Sequence, residues 1–223
     1  MVIRFFRGQD GERLDAVEAK IETMFRHDRH EFELAMSGLM GEKPAADLND
    51  ALRSTDRKVN QLEREIRREL IVHASVVGRL DTPAVLIYMS IVKDIERVGD
   101  YAKNILDLAL DGADFSKLSD PQEWHQAGEE LAEYITDSGR AFLTRDGARS
   151  RALLARGDAL LDAYDDGVSR LVRGEDDEPQ AVARALGLRY LKRVVAHLMN
   201  VLSAVVMPLG KLDYFDEDPE DRR

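Results

Sequence analysis

The sequence predicts an all-α fold: six long helices, arranged as two tandem three-helix repeats that form an antiparallel bundle. Three observations carry that expectation. Breakers are scarce, with 15 glycines and 6 prolines in 223 residues. They gather at a few places, each followed by a helix-start signal. Between those places apolar residues recur at steps of three and four, and no segment shows the period-two alternation of a half-buried strand.

The first segment ends at GEKPAAD, residues 41–47. It contains HDRHE, which sets His27, His30 and Glu31 on one helical turn as a weak ligand set. Five histidines scattered along a chain produce such groupings by chance, and a solvated face is the favoured reading. The second segment carries Val59, Leu62, Ile66 and Leu70 as an apolar stripe, and Asp56, Asn60 and Glu63 as a polar stripe at i, i+4 and i+7. The third follows GRLDTP at 78–83, where Asp81 or Thr82 serves as cap and Pro83 takes the first helical position. Its apolar face runs through Ile87, Ile91, Ile95, Val98, Ala102, Ile105 and Ala109.

A longer polar connection, DGADFSKLSDP at 111–121, offers Gly112 as a stop and Ser119 or Asp120 before Pro121 as a new start. The fourth segment that begins there holds Trp124 and His125, with the tryptophan read as a core or interface aromatic. TRDG at 144–147 opens the fifth segment, which carries Asp158, Asp162 and Asp165 as an acidic stripe. RGEDDEP at 173–179 precedes the sixth, with its repeat of Leu191, Val195, Leu198, Leu202 and Val205, and MPLG at 207–210 closes it. The remaining DYFDEDPEDRR reads as a solvated, mobile acidic tail. Segments of two to three dozen residues would be roughly 35–50 Å long at the α-helical rise. Short connections between helices of that length favour antiparallel neighbours.

The segments divide as three plus three. DRKVNQLE (Asp56 to Glu63) aligns with DALLDAYD (Asp158 to Asp165), and IERVGDYAKNIL (Ile95 to Leu106) aligns with LKRVVAHLMNVL (Leu191 to Leu202). The expected organisation is a first repeat over 1–113, a second, degenerate repeat over 114–210, and the acidic tail over 211–223.

Charge narrows the function classes. The formal net charge is −11, so the chain lacks the basic footprint that binding a phosphate backbone demands, and nucleic acid is not an expected partner. Cysteine is absent, which removes disulfides, thiolate metal sites and cysteine nucleophiles together and suits the cytoplasm. The start, MVIRFFRGQDGERLD, has charges breaking its only apolar run and does not read as a signal peptide. The best apolar runs, PAVLIYMSIV and VLSAVVMPL, are well short of the ~20 residues that cross a bilayer. The expectation is a soluble protein that does not span a membrane.

The chemistry centres on IVKDIERVGDYAKNIL. Glu96 and Asp100 stand one helical turn apart, where like charges repel by a few tenths of a kcal/mol. Lys93, Arg97 and Lys103 are spaced to pair with them, and on spacing alone a salt-bridged surface is the favoured explanation. A cation site would need further acceptors, since a hard or borderline ion takes four to six ligands. Asp56, Asn60 and Glu63 on the neighbouring helix offer them. Gly99 between the two acids is costly inside a helix, by about 1 kcal/mol against Ala, and suggests close approach of a neighbour. No histidine has a Glu three residues before it, so the Glu-x-x-His pattern of di-iron bundles is missing. His-Glu-x-x-His, phosphate-cradling glycine loops and Gly-x-Ser-x-Gly are missing too.

DIERVGDYAKNI resembles the signature of the PhoU family, in which an acid is followed by Leu-Glu-Arg-Ile-Gly-Asp-x-Ala-x-Asn-Ile. Asp94, Glu96, Arg97, Gly99, Asp100, Ala102 and Asn104 match it, with Ile95 and Val98 as apolar equivalents. The Asp56–Glu63 stripe resembles the acid-bearing helix that precedes that motif. The resemblance is strong over about 50–110 and weak in residue identity beyond 111. It implies two tandem three-helix repeats and a cytoplasmic regulator of phosphate uptake and phosphate-starvation signalling. Such a regulator exerts negative control by binding the phosphate ABC transporter (Pst) and the sensor histidine kinase PhoR. It also implies a bound divalent or trivalent metal, iron or zinc first, with Glu96 and Asp100 as ligands and Asp56, Glu63 and Asn60 as helpers. A homodimer is compatible with it.

The second repeat departs from the signature. Lys192, Val195 and Ala196 stand where the family has Glu, Gly and Asp, and only Arg193 and Asn200 survive. Metal is therefore expected in the first repeat only. The leading expectation is a binding module that is not an enzyme. Two alternatives stay open: a PhoU-domain regulatory subunit of another transporter or channel, and a metal-dependent helical-bundle enzyme.

Overall fold

A computed structural model describes residues 11–77, 82–175 and 179–212. The expected acidic tail lies outside the described residues from 213 onward, as do the first ten residues and Asp81. Six α-helices follow one another: α1 (Gly11–Leu39), α2 (Ala45–Val77), α3 (Thr82–Leu110), α4 (Pro121–Leu143), α5 (Gly147–Arg173) and α6 (Ala181–Val206). Among the described residues there are also single-turn 3-10 helices at Phe115–Lys117 and Leu209–Lys211. Among the described residues there is no strand.

Local chemistry sets the helix ends. α4 begins with Pro121 directly after Asp120, the order expected for a residue whose missing N–H belongs to an unpaired helical start. α5 is capped by Asp146, whose carboxylate accepts a 2.9 Å hydrogen bond from the Arg149 backbone N–H. α3 begins at Thr82, one residue before the position expected, so Pro83 is its second residue.

The helices pack as two triplets. α1, α2 and α3 contact one another, as do α4, α5 and α6, and the triplets meet through α1 against α4 and α3 against α6. A continuous apolar core joins them; Ile21, Phe32, Ile66, Ile95, Ile105, Leu131, Ile135, Val195 and Leu198 are each shielded from solvent. The stripes of α2, α3 and α6 face inward as their spacing predicts.

Each seam has its own chemistry. Along α1/α4 the backbones run close: a Cβ added to Gly139 would stand 2.8 Å from the Phe25 ring. The α3/α6 seam is polar. The Asp94 carboxylate meets His197 Nδ1 at 2.9 Å and accepts from Asn200 Nδ2 at 3.1 Å. Arg193 Nε donates to the Tyr101 hydroxyl at 3.3 Å, and Tyr101 stacks on His197. These pairings rise along α3 as they fall along α6, so the two helices are antiparallel. Trp124 is a core residue, packed edge-on against Phe115 with centroids 4.4 Å apart. No helix among the described residues is long and apolar enough to cross a membrane.

Candidate functional site

The three helices of the first triplet converge on five carboxylates: Asp28 and Glu31 from α1, Asp56 from α2, and Glu96 and Asp100 from α3. The two from α1 are the surprise. Asp28 and Glu31 are both 0% exposed. They continue the apolar stripe Ile21, Met24, Phe25, Phe32, Ala35 and Leu39, so α1 points them at the core as it points its hydrophobic residues. The solvated-face reading of HDRHE is therefore corrected for Glu31: this turn places His30 outward and Glu31 inward.

None of the oxygens of Asp28 and Glu31 has a hydrogen-bond partner. Leaving a buried polar group unpaired costs about 1–3 kcal/mol, and more when it is charged. Burial foremost, then repulsion from Glu31, Glu96, Asp56 and Asp100, pushes the Asp28 carboxyl well above the usual carboxylate range. Glu31 is pushed up to about 8, again by burial first and then by Asp56, Asp100 and Glu96, with Lys103 opposing. Without a cation the surroundings favour the protonated form of both carboxyls.

Gly99 explains itself in this setting. A Cβ there would lie 3.0 Å from Glu31 Oε2 and 3.5 Å from Asp28 Oδ1. The missing side chain is the space the α1 carboxylates occupy.

The outer carboxylates have basic partners. Lys103 Nζ bridges Asp56 Oδ1 at 2.6 Å and Asp100 Oδ1 at 2.8 Å. Lys93 pairs with Glu96, and Arg97 Nη1 lies 3.4 Å from Asp100 Oδ2. Glu96 is nevertheless buried, at 5% exposure. The remaining residues singled out by sequence bond along their own helix: Asn60 Nδ2 donates to the Asp56 carbonyl at 3.0 Å, and Glu63 Oε1 meets Arg67 Nε at 3.0 Å. Of the five residues singled out by sequence, Asp56, Glu96 and Asp100 thus join the carboxylate group. Its most deeply buried members are Asp28 and Glu31.

As the side chains stand, no group of three His, Cys, Asp or Glu among the described residues is arranged to hold a metal ion. The lysine at the centre of the outer carboxylates is one physical reason: Lys103 already supplies the positive charge for Asp56 and Asp100. The donor set itself suits a hard or borderline cation, being all oxygen, and the unpaired oxygens of Asp28 and Glu31 supply the demand for one.

The second triplet is built differently at the corresponding place. Val195 and Ala196 are buried in the apolar core. Lys192 pairs with Asp165, and Arg189 Nη1 lies 3.2 Å from the other oxygen of that carboxylate. Basic side chains of α6 thus satisfy Asp165 of its acidic stripe.

Residues 21–109 match the family model of the PhoU domain, a span that runs from within α1 to the end of α3. Among solved structures the chain is similar to PhoU from Pseudomonas aeruginosa, with a TM-score of 0.77 and 21% identity over 88% of this chain and 97% of that one. No curated protein matches. The all-helical bundle expected from sequence is the fold observed, and it is shared with that structure.

Proposed function

We propose that this chain, which carries a PhoU domain over residues 21–109, is a cytoplasmic regulator of phosphate uptake and phosphate-starvation signalling that works by binding and without turnover. The observation that supports the reading best is the coincidence of two things: the matched domain covers α1 to α3, and the five carboxylates lie on those three helices. The phosphate ABC transporter (Pst) and the sensor histidine kinase PhoR are the partners this reading names. Deletion of the gene should then alter phosphate uptake or starvation-gene expression. An unchanged phosphate response would move the assignment to a regulatory subunit of another transporter or channel.

The carboxylates are proposed to take one divalent or trivalent cation, iron or zinc first, per chain. Asp28, Glu31, Glu96 and Asp100 would hold it, with Asp56 as helper. When bound, the metal supplies positive charge that neutralises the buried acids and cross-links α1 to α3. This chain's own residues do the rest. Gly99 leaves room for the Glu31 carboxylate, and Lys103 screens Asp56 and Asp100. Asn60 and Glu63 stabilise α2 along its own axis. The role is structural and regulatory: fixing the triplet fixes the surface offered to a partner. Metal-stimulated turnover abolished by Glu96→Ala would contradict it and favour the enzyme alternative.

A further inference from the structure

The end of the α2/α3 hairpin differs from the rest of this charge-rich chain. Its described residues, 70–77 of α2 (LIVHASVV) and 82–92 of α3 (TPAVLIYMSIV), hold no Asp, Glu, Lys or Arg, whereas 34% of the whole sequence is charged. Four large aliphatic side chains there face solvent: Ile71 is 59% exposed, Val72 53%, Val76 63% and Leu86 50%. α2 ends at Val77 and α3 begins at Thr82, so all four lie within roughly 9 Å of the hairpin end at the α-helical rise. Single exposed apolar residues are ordinary, but a group at one uncharged end marks an interaction surface.

The outer face of α2 behind that end is basic. Arg57, Arg64, Arg68 and Val72 step by seven, four and four along one side of the helix, with Lys58 and Val76 flanking them. Arg57, Lys58, Arg64 and Arg68 are all exposed, and none forms an ion pair or hydrogen bond among the described residues. Other basic residues nearby are paired: Arg53 with Asp107, Arg67 with Glu63, and Lys103 with Asp56 and Asp100. In a chain with a net charge of −11, this row is a locally positive strip.

The order along α2 chooses the partner. Behind the apolar end come Arg68 and Arg64, roughly 6 and 12 Å from Val72, then Lys58 and Arg57, and last Asp50 and Asp47. An anionic bilayer has a matching order, from hydrocarbon through a charged headgroup layer to water. Interfacial segments bury apolar side chains about 5–10 Å into that boundary, which is the depth of this hairpin end. A protein partner would need a shaped pocket for each apolar side chain, whereas lipid accepts a convex helix end without one. The net negative charge of the chain repels its other faces from an anionic surface and so turns this one toward it. We propose that the α2/α3 hairpin end docks the protein on an anionic lipid surface. Ile71, Val72, Val76 and Leu86 enter the interface, and Arg64 and Arg68 pair with headgroup phosphates.

The full chain is mixed with vesicles of about one-third phosphatidylglycerol in phosphatidylcholine and, separately, of phosphatidylcholine alone; co-sedimentation reads the bound fraction. Binding is expected on the anionic vesicles only, and it should weaken as salt rises from about 0.05 to 0.5 M. Each basic residue near such a surface strengthens binding about fivefold, so Arg64→Gln with Arg68→Gln should weaken it about tenfold or more. Val72→Ser with Val76→Ser should also weaken it severalfold. Lys117→Gln with Arg173→Gln makes the same change of net charge at exposed positions toward the other end of the bundle, and should alter binding by no more than about twofold. All these positions are exposed, so the helical circular-dichroism signal should not change. No binding of the wild-type chain to anionic vesicles at about 1 mM lipid would overturn the proposal and leave the face to an acidic segment of a protein partner. Equal binding to the neutral vesicles, or equal losses in the α2 variants and the charge control, would overturn it too. These outcomes are independent of the phosphate reading, which deletion of the gene tests separately.

Discussion

The Glu31 carboxylate occupies the space that a side chain on Gly99 would need: a Cβ on Gly99 would stand 3.0 Å from Glu31 Oε2. The relationship joins α1 to α3 at the centre of the acidic group and gives the helix-interior glycine a function. Alanine there would gain about 1 kcal/mol of helix propensity but would displace the carboxylate by a few tenths of an ångström.

Gly99→Ala should therefore separate stability from cation binding. The metal-free protein should keep its stability to within about 1 kcal/mol, since the propensity gain offsets the crowding. Cation affinity should fall about tenfold or more, read by competition with a chelating dye. Unchanged affinity would make Gly99 a packing glycine only.

Stability should also report the buried acids through pH. Glu31 titrates at about 8 in the folded chain against an ordinary 4.5. Between those values the folded chain keeps a proton that the unfolded chain has released. Stability of the metal-free protein therefore falls as pH rises across that window, by at most about 1.4 kcal/mol per unit for this group, and levels off above it. Asp28 acts in the same direction. Glu31→Gln should flatten the slope in urea-unfolding curves taken from pH 5 to 8 (about one-unit steps). Added cation should stabilise most at the alkaline end, because binding requires the deprotonated acids and releases their protons. A flat profile would place these carboxylates in solvent, and a slope of the opposite sign would make them ionised partners of basic groups.

Lys103→Gln distinguishes a cation site from a salt-bridged face. Lys103 holds Asp56 and Asp100 together in the metal-free chain. If it screens a cation site, its loss should raise cation affinity severalfold, measured by calorimetry. A face that exists only for its salt bridges would instead lose about 1 kcal/mol of stability and gain no affinity.

The second triplet should carry no metal. Lys192 and Arg189 already neutralise Asp165, and the positions matching Gly99 and Asp100 are the buried Val195 and Ala196. Lys192→Glu should lower stability without creating a second centre; two metal centres in the wild-type chain would refute the assignment.

Much of the fold is legible in the sequence. Glycine and proline clusters mark the connections between the helices, and the three-four spacing of α2, α3 and α6 predicts their buried faces, because a helix shows its core side in one dimension. Glu96 and Asp100 stand out in the sequence through the signature they sit in. Asp28 does not stand out, and Glu31 reads as solvated, because HDRHE looks like a charged surface when taken as a cluster. The signal lay in phase, not composition. Ile21, Met24, Asp28, Glu31, Ala35 and Leu39 step by three and four, so two acids fill positions an apolar stripe reserves for its core. Sequence could not supply the partners of Glu63 and Asn60, since whether a side chain bonds along its helix or across to a neighbour depends on tertiary packing.

Elemental analysis of the natively purified chain, beside Asp100→Asn and the double substitution Asp28→Asn with Glu31→Gln, tests the acidic group most directly. One bound divalent or trivalent cation per wild-type chain, reduced in Asp100→Asn and absent from the double variant, is the predicted result. Metal-free wild-type protein that stays metal-free when iron or zinc is supplied, or the same metal content in all three proteins, would contradict it.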